Sequence, residues 1–382
     1  MYYIGLINLH AYLTQSNGEY IYPVSNILDD IAHFEDQVRQ ENFKVYLMLM
    51  DVMEGRVYSK EEAKIIDDIR TLVSSMGYGY VFVLDSDQLH LSEIPESPDI
   101  IFINQLSVVT YARTILNPLQ ETNPKWNSSA SKGLFIPGKM DRPHRIHLIT
   151  KLWEDQSLGH LEWSMNMSAD EEARCLSLLD NNVEKFELLK KGCVRSLDLQ
   201  KAEEYDSGDF AFNGFPYDVN LYSDNLFSII TESDFSGQIG RRNHWLPKLT
   251  EKTYRAIVNR HPFICCWYPG MVKHIESMGF KSFKEYMPIP DYNEPESLQE
   301  RISKTAYNIA HFDPSKYEDQ IREDVEHNYN HFVSIAEAEI AKMQRVFDLS
   351  QKRNPDFGMT LNRFVGFNFP TTFLSRNWEP KI

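Results

Sequence analysis

The sequence predicts an α/β fold built from two Rossmann-like halves. Three observations carry that expectation. Apolar runs alternate with amphipathic stretches along most of the chain, a break rich in Pro, Asn and Ser interrupts the alternation at 117–132, and strand–helix patterning resumes beyond it. Alternation of this kind marks parallel sheets covered by helices.

In the first half, the apolar runs 3–9, 44–50, 80–84 and 99–103 are the expected strands, and the amphipathic stretches 25–40 and 60–75 the expected helices. Past the break, a strand is expected at 134 and a helix from 142. A polar helical stretch over 169–191, an irregular Gly-, Asp- and Asn-rich stretch over 206–224 and a strand over 226–231 follow. The segment LTEKTYRAIVNRHPFICCWYPGMVKHIESMGFKSFKEY (249–286) reads as a helix opened by Thr250, a short buried strand over 262–266 and a second helix from Gly270. From 296 to 351 the pattern is long and helical, with Val325, Phe332, Ile335, Ile340, Met343 and Phe347 on one face. Asn354-Pro355 sets its end, and the aromatic tail needs cover for Phe364, Phe367, Phe369, Phe373 and Trp378. The expected division is a first domain over 1–128, a second over 129–358, and a tail over 359–382.

With 382 residues and 42% hydrophobic content, the chain is long enough for two packed cores. No apolar run reaches the roughly 18 residues of a membrane helix. The opening MYYIGLINLHAYL has no basic residue and carries Asn8 and His10 within its apolar stretch, unlike a signal peptide, so a cytoplasmic protein is expected. Cys175, Cys193, Cys265 and Cys266 show neither a disulfide framework nor paired Cys-x-x-Cys spacing, which fits reduced thiols. A formal charge of −16 argues against broad nonspecific adhesion to nucleic acid. Basic residues gather locally at 132–145 and 241–252.

The helix opened by Thr250 suggests an anion site. A helix start offers unpaired N–H groups and partial positive charge. Lys252 beside it could hold a diphosphate and Glu251 could accept ribose hydroxyls, so the segment as a whole would grip a sugar nucleotide. Both residues also suit an ordinary helix start. Glu232, at the end of the strand 226–231, lies where open α/β sheets bind ligands, outside the carboxyl ends of strands.

The Thr-Glu-Lys stretch resembles the C-terminal domain of α1,3-fucosyltransferases and of similar GT-B glycosyltransferases, including ones of phage and giant viruses. Two further stretches match in the same order: KGLFIPGKMDRPHRIHLITKLWED (132–155), similar to the family's strand, loop and arginine-bearing helix, and LFSIITESDF (226–235), similar to its strand ending in glutamate. The resemblance covers 132–286, under half the chain. It implies two Rossmann-like domains facing across a cleft, with long C-terminal helices added here, and a chain end, the tail 359–382, that crosses back to the first domain. The implied activity is transfer of a sugar from a nucleoside-diphosphate sugar to a hydroxyl acceptor, either a glycan or a hydroxymethylated base of phage DNA, in the host cytoplasm if phage-encoded. By the same resemblance Arg145 is the second phosphate ligand, with Arg142 the competing choice. Two departures stand out: Glu232-Ser233 replaces the family's Glu-Asn pair, and 166–225 has no counterpart.

A GT-B transferase that inverts configuration needs a carboxylate to deprotonate the acceptor, generally from the N-terminal domain. Glu54 is the best-located acid, then Asp51, with His10 a further possible base. No cofactor is required on this reading, and a divalent metal is not expected. The rival signal is Asp85-Ser86-Asp87 after an apolar strand, the Asp-x-Asp signature of metal-dependent GT-A transferases, which also makes a plain strand-end turn. His144 and His147 lie three apart on one helix, a metal-compatible spacing without an acidic or cysteine partner nearby in sequence. A noncatalytic nucleotide-binding or scaffolding protein is the alternative of another class.

Overall fold

A computed structural model of the chain describes residues 2–8, 15–16, 19–20, 27–28, 31–32, 44–51, 60–76, 79–85, 100–103, 126–135, 140–163, 168–192, 222–232, 249–266, 269–295 and 297–353. These divide into two compact units. One holds the described elements from Tyr2 to Ile103 together with helical residues from Ala336 on, and the other those at 126–232 and 249–335.

The first unit contains a four-stranded parallel sheet of β1 (Tyr2–Asn8), β4 (Lys44–Asp51), β5 (Gly79–Asp85) and β6 (Ile100–Ile103), hydrogen-bonded in that order. A small hairpin of β2 (Gln15–Ser16) and β3 (Glu19–Tyr20), which the sequence reading did not foresee, precedes β4. Helix α1 (Lys60–Ser75) packs on β5. Its buried Ile65, Ile66, Ile69 and Val73 recur at helical spacing, and Phe82 and Leu84 of β5 are buried in turn. Glu61 and Glu62 in its first turn suit the positive end of the helix dipole. Residues 27, 28, 31 and 32 are helical, with Ile27 and Ile31 buried and Leu28 exposed. The rest of the helix expected over 25–40 lies outside the described residues, as does the tail 359–382.

The second unit contains β7 (Gly133–Phe135), β8 (Leu161–Trp163), β9 (Phe227–Ile230) and β10 (Phe263–Cys265), all parallel, in the order β8-β7-β9-β10. Every residue of β7, β9 and β10 is buried, as expected of a parallel sheet covered on both faces. Helix α2 (Pro143–Glu154) follows β7, and α3 (Ala169–Leu178) and α4 (Val183–Gly192) follow β8. Helix α5 (Glu251–Val258) lies between β9 and β10, and α6 (Met271–Ser277), α7 (Leu298–His311) and α8 (Glu318–Arg353) complete the order. The single helical stretch expected over 169–191 is two helices. Asp180 and Asn181 break it, both at positive φ, a conformation that short polar side chains tolerate. Strand β8 went unforeseen because three residues are too short to display a period.

Neighbouring residues of β9 meet different helices. The ring of Phe227 packs edge-on against Phe312 at the end of α7, and α7 packs on α2. That ring also fills the space beside Gly133, where a Cβ would come within 2.6 Å of it. Ser228 lies instead against His261, just past α5, with its hydroxyl 2.7 Å from Nδ1. His261 Nε2 donates to Asn225 O at 2.8 Å.

Two buried asparagines act as backbone clamps. Asn328 of α8 accepts from Lys281 N at 2.7 Å and donates to Lys281 O at 2.9 Å, and Asn308 of α7 holds Ile289 in the same way. The buried stripe of α8 in this unit is therefore Ile321, Val325, Asn328 and Phe332, with Ile335 half-buried. Val325 and Phe332 match the expected face. Asn328 was legible only as a polar residue, because its partner lies in a distant loop. Cys175, Cys265 and Cys266 are buried free thiols, and burial pushes Cys175 and Cys266 up to about 12. No helix among the described residues is long and apolar enough to cross a membrane.

Burial lowers the His261 pKa to about 4. The unfolded chain takes up a proton near 6.5, whereas the folded chain does so only near 4, so stability is lost as pH falls through that window. Urea midpoints at pH 7, 6, 5 and 4 should fall progressively, and His261→Gln should reduce that fall by up to roughly 3 kcal/mol. An identical pH dependence in the variant would refute the assignment. Gly133→Ala should destabilise by about 1–3 kcal/mol through overpacking against Phe227, whereas an unchanged midpoint would mean that the ring moves aside freely.

Candidate functional site

The strand order of the second unit reverses between β7 and β9. After β7 the chain moves outward to β8 on one side, and after β9 it moves to β10 on the other. Diverging connections leave a crevice outside the carboxyl ends of the two central strands, where open α/β sheets take ligands. The helices that begin nearest this place are α2 and α5.

Helix α5 starts as the sequence leads one to expect. Thr250 is its N-cap, in extended conformation, and its hydroxyl accepts from Lys252 N at 3.4 Å. The partner of that cap is Glu232, two residues past the last residue of β9 and only 1% exposed. Its carboxylate accepts from Thr250 N at 2.9 Å and from the hydroxyls of Thr250 and Thr253. Three donors around one carboxylate at the positive end of a helix satisfy a charge that would otherwise be expensive to bury.

The main-chain oxygens at the end of β9 are held from the other side. Arg145, 3% exposed, donates from Nη2 to Thr231 O at 2.9 Å and to Glu232 O at 3.2 Å. His144 Nε2 lies 3.0 Å from Glu232 O, and since a carbonyl only accepts, Nε2 carries the proton. Burial, with the neighbouring charges of Arg145, Arg142 and Lys252, holds His144 well below the usual histidine range. It is therefore a neutral donor at pH 7. His144 thus senses three cations brought together by α2 and α5.

Lys252 is half-buried, with Nζ 3.3 Å from Thr250 Oγ1. Arg142 is the N-cap of α2, half-buried, and its guanidinium forms no hydrogen bond or ion pair among the described residues. The first turn of α2 has no acidic residue. Asp141 just before it pairs with Arg174 at 2.6 Å. The hydroxyl of Thr231 is buried without a hydrogen-bond partner among the described residues.

Of the residues singled out in the sequence, Arg145, Glu232, Thr250 and Lys252 come together here. Their arrangement differs from the expected one in a specific way. The sequence reading left the start of α5 to a ligand, yet Glu232 and the Thr250 hydroxyl take the amides of Thr250 and Lys252. Arg145, expected on a phosphate, has Nη2 on backbone carbonyls. The sequence reading missed His144 and Thr253 as parts of the assembly. A Thr-x-x-Thr spacing at a helix start was a readable signal for the second, but nothing local pointed to His144, whose partner is 88 positions away.

Glu251 belongs to α5 but its side chain lies outside the described residues, and so do His10, Glu54 and Asp87. Asp51 and Asp85 end β4 and β5, at the carboxyl edge of the first unit's sheet, where only their backbone is described. Among the described residues no group of three His, Cys, Asp or Glu side chains could hold a metal.

Glu232→Ala should cost about 3 kcal/mol or more in urea unfolding, because it strands three buried donors. Glu232→Gln should cost clearly less, since an amide can accept from Thr250 N and Thr253 and donate to the Thr250 hydroxyl. Equal losses for the two variants would contradict this capping role. The sequence matches no protein-family model, and comparison with curated proteins and with solved structures finds no match either.

Proposed function

We propose that the protein is a nucleotide-sugar-dependent glycosyltransferase of the GT-B type, whose second unit binds the donor and whose first unit serves the acceptor. One observation supports the reading: cationic side chains come from the starts of two helices at the end of β9 where the strand order reverses, Arg142 and Arg145 on α2, with Arg145 on Thr231 O and Glu232 O, and Lys252 on α5, with Nζ on the Thr250 hydroxyl that caps the helix and bonds Glu232. A diphosphate leaving group needs this kind of fixed positive charge, because it departs with more negative charge than it carries in the donor. Glu232 supports the arrangement by fixing the start of α5, so that Lys252 is presented on a rigid element. The net charge of −16 favours a glycan hydroxyl over a DNA base as acceptor.

The test is incubation of the purified protein with a panel of nucleoside-diphosphate sugars, following release of the nucleoside diphosphate. Turnover of at least one donor is expected, and it should survive chelation of divalent metal. Lys252→Ala should lower kcat/KM by about 100-fold. Binding without turnover would favour a noncatalytic nucleotide-binding protein. Activity abolished by chelation and restored by metal would favour a GT-A-type reaction through Asp85 and Asp87.

A further inference from the structure

We infer that the two arginines of Arg142-Pro143-His144-Arg145 divide their labour: Arg142 contacts the phosphate oxygens of the ligand, and Arg145 positions the strand end beneath it. The inference rests on the donor-site reading above and names the residue that reading leaves open.

Burial and partners separate the two residues. Arg145 is 3% exposed and holds consecutive carbonyls, Thr231 O and Glu232 O, through one nitrogen. Withdrawing it to meet a ligand would take its hydrogen bond from Thr231 O in a buried setting and leave Glu232 O to His144 alone. Arg142 faces no such cost. It is half-buried, its guanidinium has no side-chain or backbone partner among the described residues, and it lies close enough to His144 to depress that group's protonation together with Lys252.

The surroundings of Arg142 call for an anion. It caps α2 without a side-chain hydrogen bond, at the positive end of a twelve-residue helix whose first turn contains His144 and Arg145 and no acid. Cations there oppose the helix dipole. Of two nearby carboxylates, Glu232 is engaged by α5, and Asp141 is turned to Arg174 through Oδ2 while its Oδ1 is buried without a hydrogen-bond partner among the described residues. A second, independent feature lies one residue past β9. The Thr231 hydroxyl belongs to a residue only 1% exposed, has no hydrogen-bond partner among the described residues, and sits on the residue whose carbonyl Arg145 holds. Alternation along β9 sends Glu232 to α5 and so leaves Thr231 on the side of α2. A buried hydroxyl and a guanidinium that both lack partners among the described residues, one past the end of β9 on the α2 side and the other at the start of α2, suit phosphate oxygens, which accept from both. The fork of a guanidinium also matches two oxygens of one phosphate, which an ammonium does not.

The decisive experiment titrates inorganic pyrophosphate and a set of nucleoside diphosphates into the full-length protein and its variants by calorimetry, with a thermal midpoint for each. Arg142→Ala should weaken binding of both probes by about tenfold or more with the midpoint unchanged, and Arg142→Lys should recover only part of the affinity. Arg145→Lys, which keeps a donor for the carbonyls, should lower the midpoint by several degrees and lose less affinity than Arg142→Ala. Wild-type affinity in Arg142→Ala overturns the division of labour while leaving the donor site standing. Arg145→Lys losing more affinity than Arg142→Ala at an unchanged midpoint does the same. A wild-type protein that binds neither pyrophosphate nor any nucleoside diphosphate overturns both the division and the donor-site reading.

Discussion

An ionised carboxylate buried in a protein is tolerated only where charge-assisted hydrogen bonds replace its water, and Glu232 meets that condition entirely with donors from the start of α5. Its own carbonyl meanwhile receives His144 and Arg145 from the start of α2. One residue therefore ties the end of a central strand to the beginnings of two helices. The geometry of that end of the sheet depends on it. With the amides of Thr250 and Lys252 already engaged, added negative charge is best met by side chains, Lys252 of α5 and Arg142 at the start of α2.

Topology and electrostatics reinforce each other here. The order β8-β7-β9-β10 makes the two central strands send their helices away from each other, which opens the carboxyl end between them. Helix starts at that end are positive by construction. The chain adds three basic side chains and keeps His144 neutral by burial, so the histidine can act as a hydrogen-bond donor without adding a further charge.

Much of the fold was legible in the sequence. The strands at 44–51 and 79–85 and the helix at 60–75 lie within a residue of their expected bounds, because long apolar runs and a clear amphipathic face leave little choice. Thr250 capping α5 was legible for the same reason, since its signal is contained in four residues. Short elements such as β8 were not, and neither was the split between α3 and α4, where Asp180 and Asn181 look like ordinary polar residues of a helix. In the candidate site, Glu232, Arg145, Thr250 and Lys252 were identifiable as residues. What each of them touches was not.

The sequence by itself determined the alternation of strands and helices, the two-unit scale of the chain and the chemical kinds of group available at the second unit's ligand end. Those properties follow from local periodicity and capping, which act over a few residues. Only the tertiary structure decided that Glu232 turns toward α5, that Arg145 grips the end of β9 and that Arg142 is left without a partner among the described residues. Such choices depend on which groups separated by tens of positions are brought within hydrogen-bonding distance in a buried place, and no pattern along the chain encodes that distance.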